Sequence, residues 1–151
     1  MTLRIATTIL LIAWASISSV HAQSGLHIAQ LFGAHYRNRK DATEVLLKGK
    51  NKYNLSLFRS LSLSSAPPDQ AHFEQLVLAD TRSAIDKEAC MRNGRLYYGF
   101  YQLPPKKNLR RYIFYRNNTL DKSSSSSQPA ITLIYMEGTA TLNELKQSFK
   151  K

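Results

Sequence analysis

The run Cys90-Met91-Arg92-Asn93-Gly94-Arg95-Leu96-Tyr97 narrows the fold of this chain more than any other stretch. Asn-Gly between two strand-forming runs is the preferred two-residue hairpin turn, because both turn positions need positive φ. Residues 95–103 then read as a long aromatic strand. Pro104-Pro105-Lys106-Lys107-Asn108 turns the chain again, 110–116 forms a third strand and 130–137 a fourth. The strands of the second half sit close together with mostly short links, so they are expected to form an antiparallel meander.

The first half supplies helices and two more strands. Ile28, Leu31 and Phe32 fall at spacings of three and four, which predicts an amphipathic helix over 24–36 with Ser24 as its cap. Residues 43–47 and 53–62 read as strands. Leu55, Leu57, Leu61 and Leu63 share one parity, and Phe58 breaks the alternation, predicting a bulge or a change of face. After the break at Pro67-Pro68, Asp69 is expected to cap a helix whose inward stripe is Phe73, Leu76 and Val77, reaching about Asp80. Residues 81–87 either continue that helix or start a second turn. A polar loop over 120–129 carries five serines at 123–127, a low-complexity surface insertion. Thr141 and Glu144 have the spacing of a capping box ahead of a last helix with the stripe Leu142, Leu145 and Phe149. The expected architecture is α+β: an antiparallel sheet, made of a four-strand C-terminal meander plus an N-terminal strand pair, with helices packed on one face.

The N-terminus reads differently. Arg4 gives a positive start, residues 5–20 are almost uncharged, and Val20-His21-Ala22 places small residues at −3 and −1 of a cleavage point. That is the layout of a secretory signal peptide over 1–22, leaving 23–151 as one α+β domain. No later apolar run approaches the ~18 residues that span a bilayer, so no transmembrane segment is expected after cleavage. The sole cysteine, Cys90, excludes an intramolecular disulfide and is expected to be a small apolar strand residue.

Catalytic signatures are absent. There is no nucleophile elbow, no zinc helix, no paired cysteines, no phosphate loop and no dinucleotide fingerprint. His27 and His35 would lie about 80° apart around a helix, with no further ligand at metal spacing. Asp80, Asp86 and Glu88 read as local caps or solvated acids, and no cofactor, metal or catalytic residue is assigned.

Charge points to a partner instead. The chain carries +11; the signal removes only one base, Arg4, so +10 remains on the exported part. A field of that sign favours anionic partners. Lys106, Lys107, Arg110 and Arg111 cluster at one hairpin beside Tyr97, Tyr98, Phe100, Tyr101, Tyr112, Phe114 and Tyr115. These four cations are the expected anion-binding residues, with Tyr101 and Tyr112 as stacking groups; aromatic rings beside cations suit sugar faces and acidic headgroups. Lys48, Lys50 and Lys52 form a second basic cluster at another turn. Nucleic acid would fit the charge, but an exported chain seldom meets it and no nucleic-acid motif is present.

The segments Leu76-Val-Leu-Ala-Asp80, Leu96-Tyr-Tyr-Gly-Phe-Tyr-Gln-Leu-Pro-Pro105, Arg111-Tyr-Ile-Phe-Tyr115 and Leu133-Ile-Tyr-Met-Glu-Gly138, in this order, resemble a family of small exported proteins of Gram-negative bacteria known as a domain of unknown function. The resemblance spans about residues 26–151 and rests on strands, turns and the last helix. It implies an α+β domain located in the periplasm or at the cell surface, and it carries over no active-site residue. The expected function is a non-enzymatic binding or accessory module for an anionic glycan, a lipid headgroup such as that of lipopolysaccharide, or an acidic protein. A small envelope hydrolase and an inhibitor or assembly partner acting by edge-strand addition are the alternatives. Oligomeric state is not readable from the sequence.

Overall fold

A computed structural model describes residues 25–33, 36, 38–49, 53–65, 68–121 and 128–149. The expected signal peptide, His35, Lys50, Lys52 and the serine run lie outside the described residues. A short 3-10 helix, His27–Phe32, is followed by β1 (Ala42–Lys48), β2 (Leu55–Leu63), α1 (Gln70–Thr81), β3 (Asp86–Arg92), β4 (Arg95–Lys106), β5 (Leu109–Asn117), a 3-10 turn Asn118–Leu120, β6 (Ile131–Gly138) and α2 (Leu142–Phe149). The strands make one six-stranded antiparallel sheet in the order β1-β2-β6-β5-β4-β3. The meander is therefore β3 to β6. The N-terminal pair docks on its far side through β2 and β6, so four plus two strands become one continuous sheet.

Turn chemistry sets the hairpins. Asn93 and Gly94 adopt φ of 52° and 74°, the doubly positive geometry that Asn-Gly favours. Lys107 and Asn108 do the same at 51° and 64°. The second turn is consequently only two residues long. Pro104 and Pro105 belong to β4, where the register slips between Leu103 and Lys106 because proline cannot donate to a ladder.

Helices cover both faces, which corrects the expectation that they share one. The 3-10 helix and α1 bury Ile28, Leu31, Phe32, Phe73, Leu76 and Val77 against Leu57, Leu61, Ile113, Tyr115, Leu133 and Tyr135. On the opposite face α2 places Leu142 and Leu145 over Phe100, Tyr112 and Met136. Leu55 joins this second cluster. The register shift lies between Leu55 and Leu57, so it is Leu55, not Phe58, that changes side relative to Leu57, Leu61 and Leu63.

Buried polar groups fasten the helices. Asp80 is 6% exposed and accepts from the backbone N–H of His27 and Ile28, each at 2.8 Å, and its Oδ1 lies 2.8 Å from His27 Nδ1. It was expected as a solvated or capping acid of its own helix; it caps the 3-10 helix instead. Glu74, 7% exposed, takes Arg95 Nε at 2.7 Å and Leu96 N at 3.0 Å, tying α1 to the first meander hairpin. Arg59 donates to Glu44 Oε1 and to the carbonyl of Phe32. Asp69 precedes α1, but its side chain accepts from the Tyr36 hydroxyl rather than capping the helix. At α2 the capping box forms as expected: Glu144 N donates to Thr141 Oγ1 and Thr141 N to Glu144 Oε2, both at 3.2 Å.

Burial of the phenols has a consequence for alkaline stability. Burial, aided by the Glu74 carboxylate, pushes the Tyr115 hydroxyl up to about 12. Tyr36 and Tyr135 move in the same direction, chiefly through burial and then through hydrogen bonds to Asp69 and Glu137. An acid whose folded pKa is raised loses its proton first in the unfolded chain. The stability that Tyr115 contributes is full below pH 10 and disappears as pH rises toward 12. Alkaline titration should show tyrosinate absorbance from these rings only together with loss of circular dichroism. Full tyrosinate formation in a still-folded protein would contradict this burial.

Candidate anion-binding end of the sheet

Register brings one end of the sheet together from five strands. Lys48 pairs with Leu57, Leu55 and Arg110 both pair with Gly138, and Lys106 pairs with Leu109. The end of β1, the start of β2, the end of β6 and the β4–β5 hairpin thus form a common edge. Lys48, Lys106, Lys107 and Arg110 are exposed there. Lys48 and the β5 end of the row lie three strand spacings apart, about 14 Å.

Between these cations lies a depression of about 260 Å³, lined by Asn54, Leu55, Ser56, Leu109, Gly138 and Thr139. It is smaller than the ~300–1,000 Å³ of most small-molecule sites. Arg110 Nη1 donates to the Thr139 carbonyl at 2.5 Å, which sets its guanidinium on the rim. Asn54, at φ 57°, turns its carbonyl toward Thr139 N and Ala140 N, at 3.0 and 3.1 Å. Gly138 is required by this approach: a Cβ there would stand 2.4 Å from the Asn54 oxygen.

The four expected cations do not act alike. No ion pair engages Lys106, Lys107 or Arg110 among the described residues, whereas Arg39, Arg59, Arg92, Arg95 and Lys146 each hold a carboxylate. Arg111 is half-buried, points to the other face, and donates Nε to the Pro104 carbonyl at 3.0 Å. Arg111 pairs in register with Glu137, whose carboxylate accepts the Tyr135 hydroxyl at 2.6 Å.

Tyr101 and Tyr112 are not surface stacking groups. They are 4% and 0% exposed. The Tyr101 ring folds over Gly99, filling the space where a Cβ would be. Tyr112 lies under α2 and spends its hydroxyl on the Ala140 carbonyl at 2.5 Å. Burial raises both hydroxyls. The rings that do reach a surface groove are Tyr98, Phe100, Phe114 and Phe149. They line a 190 Å³ cleft beside α2 with Glu88, Arg116 and Lys146, whose Nζ lies 2.7 Å from Glu88 Oε2. Strand alternation alone separates Tyr98 and Phe100 from Tyr101, but only the position of α2 decides which of them keeps an open edge.

The remaining singled-out residues take the following places. Cys90 is a free thiol exposed on β3, an edge strand, not a buried apolar residue. His27 is largely exposed, its ring held by Asp80, and His72 is exposed on α1. Among the described residues no three His, Cys, Asp or Glu gather as metal ligands. Among the same residues, no helix is long and apolar enough to cross a membrane. The exposed cations make this end of the sheet electropositive.

No curated protein and no solved structure matches the chain. One family model does: "Family of unknown function (DUF6108)" matches residues 15–149 and so takes in every element of the sheet and both of its helical covers. With nearly its whole length inside that match, the chain belongs to this family of unknown function.

Proposed function

We propose that this protein is an exported, non-enzymatic binding or accessory module of the bacterial envelope, and that the basic end of its sheet takes an anionic glycan such as the phosphorylated core of lipopolysaccharide. The observation that carries this reading is the set of three exposed cations, Lys106, Lys107 and Arg110, which no carboxylate neutralises among the described residues. They flank a small, largely apolar depression, so a bound anion would meet the cations on its rim rather than the depression itself. The signal-like segment 1–22 supports placement outside the cytoplasm, where such glycans occur.

Isothermal titration of the protein with lipopolysaccharide tests the reading, with Lys106→Glu/Lys107→Glu as the variant. Both side chains are exposed, so the fold should survive. The expected result is at least ~10-fold weaker binding, consistent with reversal of two charges near the ligand. Raising salt should weaken the wild type progressively without abolishing binding, because surface charges are screened. Equal affinity of variant and wild type would remove the basic end as the site. Mass spectrometry of the secreted fraction should place the first residue at Gln23; an intact Met1 there would refute cleavage.

A further inference from the structure

The two edges of the sheet are built differently. β3 alternates charges along Asp86, Lys87, Glu88 and Arg92 and carries a register shift between Cys90 and Met91. Charges and bulges are the ordinary devices that keep an edge from pairing with another chain. β1 has neither proline nor bulge: its register with β2 runs unbroken from Ala42 to Lys48. Its centre is Val45-Leu46-Leu47, exposed by 38%, 44% and 51%.

The hydrogen bonds say which amides of β1 point outward. Asp41 O accepts from Ser64 N at 3.0 Å, and Gly49 N donates to Ser56 O at 2.9 Å. Odd-numbered residues of β1 therefore face β2. The N–H and C=O of Glu44, Leu46 and Lys48 point away from it, toward the outer edge.

We propose that two copies of this chain pair edge to edge through β1, antiparallel about a twofold axis at Leu46, making one continuous twelve-stranded sheet. An antiparallel pair must match outward residues with outward residues, so the axis can pass only through a residue position and not between two. Centred on Leu46, the register sets Leu46 against Leu46, Val45 against Leu47, and Glu44 against Lys48 of the other copy. Each cross-strand pair within residues 44–48 is then apolar on apolar or acid on base, and Ala42 and Thr43 run past the end of the partner's strand. Centred on Val45, it would set Lys48 against Ala42 and Glu44 against Leu46. Centred on Leu47, it would set Lys48 against Leu46. Only the Leu46 axis matches both charge and apolarity. Lys48 would reach the carboxylate that already holds Arg59, and Val45 and Leu47 would extend the apolar surface of Phe58 across the junction. The arrangement is self-complementary, as a twofold interface must be.

Sedimentation equilibrium of the full purified protein tests this. The expected result is a reversible monomer–dimer equilibrium. Leu46→Pro removes an N–H that points away from β2, so it strips the interface without taking a β1–β2 bond. It should weaken the dimer by more than ~10-fold with little change in melting temperature. Lys48→Glu sets like charges against Glu44 and should weaken it as well; a dimer indifferent to this change overturns the register. A wild type that stays monomeric at the highest attainable concentration overturns the proposal and leaves the edge to a foreign strand. A Leu46→Pro dimer as tight as the wild type overturns it too. Should that variant fail to fold, amide exchange on the wild type decides. Leu46 and Lys48 gain protection with concentration if the dimer forms through β1, and unchanged protection overturns it.

Discussion

Replacing Asp80 by alanine should lower unfolding free energy by about 3 kcal/mol, one of the largest losses available outside the apolar core. Its two oxygens hold three groups of another element: the N–H of His27, the N–H of Ile28 and the His27 ring. The side chain is almost fully enclosed. Deleting it leaves the buried Ile28 N–H without an acceptor, at ~1–3 kcal/mol, and leaves the part-buried His27 N–H to water at a smaller cost. It also frees the 3-10 helix that seats Ile28, Leu31 and Phe32 against α1 and the sheet. Asp80→Asn should lose less, because its carbonyl still accepts one of the two amides. Urea unfolding of both variants measures this. A loss under ~1 kcal/mol for alanine would mean that the 3-10 helix is held by its apolar stripe alone. His27→Ala serves as the control: the ring is mostly exposed and both backbone bonds remain, so the loss should be a small fraction of the Asp80 effect.

Gly138→Ala should cost about as much, roughly 3 kcal/mol, for a steric reason. The added Cβ would lie 2.4 Å from the Asn54 oxygen and 2.6 Å from the Leu55 Cα. Both obstacles are backbone, so no rotamer change relieves them. The Asn54 segment must move, and its carbonyl is the acceptor for Thr139 N and Ala140 N at the entrance to α2. The change therefore disturbs the β2–β6 junction, the helix start and the wall of the basic-end depression together. Gly33→Ala is the matched comparison. Its Cβ would stand 3.3 Å from the Gln30 oxygen, a tight contact that a shift of a few tenths of an ångström relieves, so it should cost much less than Gly138→Ala. Thermal melts of the pair decide it, and equal melting temperatures would show that Asn54 yields easily.

Much of this architecture is local, and the local parts were legible. Asn93-Gly94 and the Thr141–Glu144 box declare themselves because each motif satisfies its own backbone within four residues. The alternating strand β2 and the helical stripes Phe73–Leu76–Val77 and Leu142–Leu145 follow from apolar spacing. The first helix was legible as an apolar stripe, but its N-terminal acceptors come from Asp80, more than fifty residues away.

The candidate site was legible by halves. Exposure of Lys106, Lys107 and Arg110 follows from a polar turn. Arg111 departs because the next residue along a strand faces the opposite side, and there a carbonyl was waiting. Choosing Tyr101 and Tyr112 as surface rings failed for a related reason. A sheet covered on one face would have left one parity open, but this sheet is covered on both.

Residue order alone determined the hairpins, the helix start at Thr141, the antiparallel meander and the excess of positive charge, since each depends on neighbours in the chain. Tertiary structure alone decided that β2 joins β6, that α2 crosses to the other face, that Asp80 serves a distant helix, and that Lys48 shares an edge with Lys106 and Arg110. Those outcomes depend on which apolar surfaces meet across long sequence separations, and burial is non-directional: it rewards covering a face without specifying which helix covers it.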